Sequence, residues 1–150
     1  MCEYCGCQDV PAIALLTAEH EAIVNLMGEV RVALDHGRTE DVAEGCKRIL
    51  AVLGPHVQVE EQALFPPMRA EFPDQIEGLL AEHGAIESVL AEAGTAAAAE
   101  PDWPRRLLAA LHDLREHILK EQDGVFPASL AILRPEDWDR LDEARAEACG

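Results

Sequence analysis

The feature that most constrains this chain is a frame it contains twice. Residues 56–66 read His56-Val-Gln-Val-Glu60-Glu-Gln-Ala-Leu-Phe65-Pro66, and residues 117–127 read His117-Ile-Leu-Lys-Glu121-Gln-Asp-Gly-Val-Phe126-Pro127. His, Glu, Phe and Pro recur at the same offsets, 61 positions apart. A second repeat lies upstream of each frame: Ala18-Glu19-His20-Glu21-Ala22-Ile23 and Ala81-Glu82-His83-Gly84-Ala85-Ile86, 63 positions apart. Each half thus supplies one His and then a His-x-x-x-Glu. A His and a Glu four residues apart share one face of a helix, about one turn apart. Two such halves suit a bundle of four helices with pseudo-twofold symmetry, each half donating one helix pair.

The residues between the repeats agree with helices. Pro11 opens an apolar pattern, Ile13, Leu16, His20, Ile23, Met27, Val30 and Leu34, at spacings of three and four, which His36-Gly37 ends. Thr39 is the expected N-cap of a second helix. Gly54-Pro55 interrupts its pattern just before His56, which predicts a bend there or a new helix starting at Pro55. Pro66-Pro67 is expected to close the segment. A third helix is predicted from near Pro73 to about Glu92, ending at Gly94, and then a loop over 94–102 with a short Ala run. A fourth starts between Asp102 and Pro104 and runs to about Asp123, where Gly124 and Pro127 should disrupt it. Arg134-Pro135 starts a last amphipathic segment carrying Trp138, Leu141 and Ala144. The expected fold is all-α: an up-down-up-down four-helix bundle over 11–133, a short C-terminal fifth helix over 134–150 packed on it, and a Cys-rich leader over 1–10.

Composition narrows the partners. Lys plus Arg number 12 against 29 Asp plus Glu, a net charge of −17, which repels phosphate backbones and argues against nucleic acid. No apolar run approaches the roughly 18 residues that span a bilayer, and the polar start does not resemble a signal peptide. A cytoplasmic protein with no membrane partner is expected, in a reducing compartment where five cysteines do not form a disulfide framework.

The repeated residues carry the chemistry. Four imidazoles and two carboxylates aimed inward can hold two metal ions. His20 and His56 would cap one, His83 and His117 the other, and Glu60 and Glu121 would bridge them. Helical phase selects these carboxylates: at about 100° per residue, Glu60 lies about 40° from His56 and Glu61 about 140° away. Glu121 and Gln122 differ in the same way relative to His117. Glu61 is then solvent-facing or an outer partner of the site. Mixed imidazole and carboxylate ligands suit iron, and also zinc or manganese. Two His and two bridging oxygens give four ligands per metal, and an oxo or hydroxo bridge would make five, leaving a position open for dioxygen, hydrogen peroxide or nitric oxide.

The order His20, His56-x-x-x-Glu60, His83, His117-x-x-x-Glu121, with Phe-Pro after each frame, resembles the hemerythrin-like, or HHE cation-binding, domain over roughly residues 12–131. The resemblance implies an up-down bundle around an oxo- or hydroxo-bridged non-haem di-iron centre. The chain departs from the oxygen-carrying members at two places. Those have a second His four residues after the third-helix ligand, where Glu87 stands here. Their last bridging ligand is an Asp five residues after its His, and here Glu121 follows at four. Both departures weigh against reversible oxygen carriage, and toward iron sensing or storage or redox work on peroxide or nitric oxide. Glu87, about 40° from His83, is a candidate seventh ligand or a surface carboxylate.

Other residues are assigned lesser roles. His36 and His112 belong to no ligand face. Asp113 is an outer acceptor for an imidazole N–H or a solvated helix residue. Cys46 reads as a small core residue. Cys2-x-x-Cys5-x-Cys7, with Cys149 from the far end of the chain, is a candidate thiol site for zinc, a thiol redox pair, or simply a reactive tail. The functional expectation is a di-iron protein that binds or reduces a small oxidant, with enzymatic turnover of peroxide or nitric oxide left open. The alternative is a non-enzymatic iron-binding module for sensing, storage or donation. A helical bundle with incidental histidines is the default against which both are weighed. No oligomeric state follows from the sequence.

Overall fold

The computed structural model describes residues 10–149, and Cys2, Cys5 and Cys7 of the leader lie outside the described residues. Within them every regular element is helical. Helix α1 is Pro11–Asp35 and α2 is Thr39–Val59. A π-helical turn over Glu60–Leu64 leads directly into α3, Phe65–Met68. Helix α4 is Pro73–Ala91, followed by a 3₁₀ turn at Ala96–Ala99 and by α5, Trp103–Lys120. A second π-helical turn, Glu121–Val125, leads into α6, Phe126–Ile132, and α7 is Pro135–Cys149. Helix α1 packs on α2, α2 on α4, α4 on α5, and α5 back on α1, which closes a four-helix bundle. Helix α7 lies outside it, against α2, the first π turn and α1. Among the described residues no helix is long and apolar enough to cross a membrane.

Capping fixes the helix ends. After α1, the Gly37 N–H donates to Leu34 O (3.2 Å) and the Arg38 N–H to Ala33 O (2.9 Å), a Schellman pair that needs the left-handed φ of +67° found at Gly37. Thr39 is the first residue of α2 rather than its cap; Arg38 occupies the cap position and no side chain bonds the free N–H groups there. Gly45 allows α1 and α2 to approach: a Cβ built on it would stand 2.5 Å from Val30 Cγ2.

Two expectations about proline are corrected. Helix α2 runs unbroken through Gly54 and Pro55, so no second helix starts there. The usual clash of a proline ring with the preceding Cβ is absent because that residue is glycine. Likewise Pro66-Pro67 and Gly124/Pro127 do not end their helices. Each Pro sits in the first turn of the α-segment that resumes after a π turn, where its missing N–H costs least. The helical path therefore extends to Met68 and Ile132.

The core has two apolar clusters. One gathers Ile23, Val30, Cys46, Ile49, Leu107 and Leu111 with their neighbours. The other gathers Ile13, Leu16, Leu64, Phe65, Met68 and Phe126 and extends to Leu141 and Ala144 of α7. Each of the four long helices also buries a polar side chain: Thr17 and His20 in α1, His56 in α2, His83 in α4 and His117 in α5. Among the described residues the buried polar or charged side chains are His20, His56, Glu60, His83, His117, Glu121, Thr17 and Ser129. A layer of six ionisable groups is thus held between two apolar plugs.

Candidate metal centre

Each half contributes the same atoms to this layer. His20 comes from α1 and His83 from α4, each one turn past a core leucine, Leu16 and Leu79. His56 and His117 come from the last turns of α2 and α5, and Glu60 and Glu121 are the first residues of the two π turns. One carboxylate or imidazole atom from each of His20, His56, Glu60 and Glu121 lies within 4.8 Å of the others, and the same holds for Glu60, His83, His117 and Glu121. The two groups share both carboxylates. Each is a buried set of four that can hold a metal ion.

The distances show how tightly the layer closes. His20 Nε2 is 2.9 Å from Glu121 Oε1, and His56 Nε2 is 3.3 Å from Glu60 Oε1. His83 Nε2 is 3.4 Å from Glu60 Oε1, and His117 Nε2 is 3.4 Å from Glu121 Oε2. The imidazoles pair symmetrically, with ring centroids 4.6 Å apart both for His20 with His56 and for His83 with His117.

Outer contacts orient the rings so that Nε2 faces inward. His56 Nδ1 donates to Glu19 Oε1 (3.0 Å), His83 Nδ1 to Glu61 Oε2 (2.8 Å) and His20 Nδ1 to Gln122 Oε1 (3.0 Å). Such a bond fixes the tautomer and the ring angle and makes the inner nitrogen a better donor to a metal. Each outer group is the chain neighbour of a residue in the layer, Glu19 of His20, Glu61 of Glu60 and Gln122 of Glu121.

The repeated phenylalanines complete the frame. Phe65 stacks on His83 (5.7 Å, 15°) and Phe126 on His20 (5.5 Å, 10°), so each half's aromatic supports the other half's imidazole. The π turns make this possible. In a regular α-helix Phe65, five residues after Glu60, would point about 140° away. The wider turn absorbs one residue and returns it to the same side, where both are buried.

The layer's chemistry fits a cation. Glu60 Oε1 and Oε2, Glu121 Oε2 and His56 Nε2 are buried without a hydrogen-bond partner. Orphaned acceptors in an apolar core are costly, and a bound metal ion would satisfy them. The ionisation pattern agrees. Burial pulls the His56 imidazole down, but the Glu60 charge, the nearby Glu121 carboxylate and the hydrogen bond to Glu19 outweigh it and hold its pKa well above the usual value. Burial also opposes protonation of His83, yet Glu60, Glu61 and Glu121 raise it to about 9. Burial would raise Glu121, but the hydrogen bond from His20 and the close imidazoles of His117 and His56 keep it well below the usual carboxylate range. The layer draws positive charge onto its imidazoles, and a divalent cation would supply that charge at the same place.

The remaining sequence candidates fall outside the layer. Glu87 belongs to neither group. It is half-buried between α2 and α4, beside Glu61, and burial foremost raises its pKa. The inner face of α4 passes through His83 and Ile86, which leaves Glu87 at the groove. Asp113 is exposed, with Leu114 facing the core, so the solvated option holds and the outer acceptors are the glutamates and Gln122. His36 and His112 are exposed, and the His36 Nδ1–H donates to Val32 O (2.8 Å). Cys46 is buried in the first apolar cluster and Cys149 is a free, exposed thiol. Sequence reasoning missed Glu19, Gln122, the stacking and the π turns. The signal for the last was present: both ends of the nine-residue step from His56 to Phe65 are needed inside, and an α-helix sets them about 180° apart.

No curated protein and no solved structure matches this chain. A family model does: the hemerythrin HHE cation-binding domain matches residues 12–129, which takes in all four bundle helices and the whole polar layer. The chain belongs to the hemerythrin HHE cation-binding domain family.

Proposed function

We propose that this chain is a non-haem di-iron protein that binds or reduces a small oxidant, whether dioxygen, hydrogen peroxide or nitric oxide. The observation that carries the reading is the pair of four-residue groups sharing two buried carboxylates, with four of their inner atoms otherwise unpartnered. His20 and His56 would hold one iron and His83 and His117 the other, with Glu60 and Glu121 across both. Iron bound there would supply the electrons and the vacant coordination position that oxidant chemistry requires. The chain's own side chains do the rest. Glu19, Glu61 and Gln122 hold imidazole Nδ1 protons outward, and Phe65 and Phe126 keep two rings from turning. The apolar clusters above and below exclude bulk water. A pocket of about 470 Å³ lined by His83, Glu61 and Glu87 offers a small molecule a way in from the α2–α4 face.

Anaerobic reconstitution with ferrous iron, followed by iron analysis and a spectrum before and after peroxide, tests this. Two irons per chain and a near-ultraviolet band that grows on oxidation support it. Glu60→Ala and Glu121→Ala proteins that fold and retain full iron would remove the bridging carboxylates from it. Peroxide consumption lost in His56→Ala favours turnover. Two tightly held irons without consumption favour a binding module for iron sensing, storage or donation.

A further inference from the structure

The inner layer is nearly symmetric, and His20 and His83 each keep an outer partner, Gln122 at 3.0 Å and Glu61 at 2.8 Å, but the surroundings of His56 and His117 differ. His56 of the first group donates to Glu19, and Glu19 in turn accepts from Arg145 Nη1 of α7 (Oε2, 2.7 Å). Arg145 and Glu19 are about four-fifths buried at their side chains. Helix α7 covers this side, lying against α2, α1 and the first π turn.

The matching contact to His117 in the second group is not made. Glu82 is the pseudo-equivalent of Glu19, but its Oε1 stands 3.8 Å from His117 Nδ1, too far for a hydrogen bond. That nitrogen is buried and unpartnered, alone among the outer nitrogens of the four imidazoles. Glu82 pairs instead with Lys120, whose side chain is largely exposed. Two cavities reach this side. One, about 470 Å³, opens on His83 beside Gly54 and Gly84. The other, about 500 Å³ and mostly apolar, reaches Glu82 and Lys120 between α4 and α5. The positions equivalent to Gly84 and Gly54 are Glu21 on α1 and Arg115 on α5, so the repeat does not reproduce the gap between α1 and α5.

We propose that the two metal positions are inequivalent: the His20/His56 position is a retained one locked by the Arg145–Glu19–His56 chain, and the His83/His117 position is the exchangeable one. This rests on the two-metal reading above. Arg145 is here a positioning residue, acting on the metal only through Glu19 and His56. Outer partners of this kind change metal affinity by about 10–100-fold when removed, so the two positions should release metal at rates that differ by a similar factor.

The test loads the full-length metal-free chain with two equivalents of Zn(II) and follows release to an excess of a chromogenic chelator by stopped flow. Two zinc ions per chain, leaving in a fast and a slow phase of equal amplitude, are expected. Arg145→Ala should speed the slow phase about 10-fold or more and leave the fast phase unchanged, and Arg145→Lys should restore much of the slow rate. Arg106→Ala, which breaks an equally short ion pair with Glu92 elsewhere on the surface (2.8 Å), should change neither. Release of both ions in one phase overturns the inference. So does an Arg145→Ala protein in which both phases speed up together, or neither does. Binding of fewer than two ions defeats the two-metal reading itself, a result distinct from two ions leaving together.

Discussion

Deleting Gln62 and deleting Gln58 should have opposite consequences, although the two residues lie four positions apart and both are exposed. A π turn is an α-helix that has absorbed one extra residue. Removing Gln62 from the turn at Glu60–Leu64 takes that residue out and leaves both flanks facing as they do now. The cost is then local. Pro66 falls inside a continuous α-helix and loses its place after the wide turn, which costs about 3 kcal/mol. Removing Gln58 instead rotates everything beyond it by about 100°. Val59, Leu64, Phe65 and Met68, each at most 2 % exposed, would leave the core at about 1.5–3 kcal/mol apiece. Together that is about 6–12 kcal/mol, comparable to the whole stability of a domain this size. Urea titration followed by far-ultraviolet circular dichroism reads the difference. The Gln62 deletion should unfold cooperatively at a lower midpoint, and the Gln58 deletion should show no cooperative transition. The Gln62 deletion should also weaken metal binding, because Glu60 begins the turn that disappears. Equal midpoints for the two proteins, or a milder effect at Gln58, would refute the phase argument.

Two further outcomes follow from the burial of the layer and of one thiol. Chelation should lower the melting temperature: at a free metal concentration 100 times Kd each ion contributes about 2.7 kcal/mol. Two ions then raise the midpoint by about 10–20 °C for a chain of this length, and coincident melts with and without chelator in calorimetry would contradict the cation-binding role of the layer. Cys46, whose thiol burial pushes up to about 11, should resist iodoacetamide in the native protein while exposed Cys149 reacts, as read by peptide mass spectrometry. Because its folded pKa lies above the ordinary value of 9.0, this group's contribution to stability is present below pH 9 and is lost as pH rises through about 11. Native-state alkylation of Cys46 as fast as that of Cys149 at pH 8 would rule this out.

What the sequence made legible is what periodicity and repetition can encode. The helices from Pro11, Pro73 and Pro135, the Gly37 and Gly94 stops, and the inward convergence of His20, His56, Glu60, His83, His117 and Glu121 all follow from spacing. The phase rule that prefers Glu60 to Glu61 holds because the helix is still regular up to Val59. It fails one residue later, where the π turn begins, and for this reason Pro66 and Pro127 do not act as the stops that an α-helical phase predicts. A proline is a reliable terminator only where the preceding turn is α-helical and the residue before it carries a Cβ, which Gly54 before Pro55 lacks. The carboxylate at the head of the turn before Pro66 and the aromatic behind it, both required inside, were the evidence that this turn is not α-helical.

The outer contacts were illegible for a different reason. Glu19 and Glu82 stand in identical sequence settings, each before a His and after an Ala. Yet one is bound at 3.0 Å to His56 and at 2.7 Å to Arg145, and the other stands 3.8 Å from His117 with an exposed lysine as its partner. The difference comes from α7, which has no counterpart in the repeat and lies on only one of the two faces. Repetition in a sequence specifies equal inner ligands, because those are set by each helix's own phase. It does not specify equal surroundings, because those depend on what else the chain folds against them. A duplicated half-site with one unduplicated helix is a direct physical route from two equal metal positions to two unequal ones.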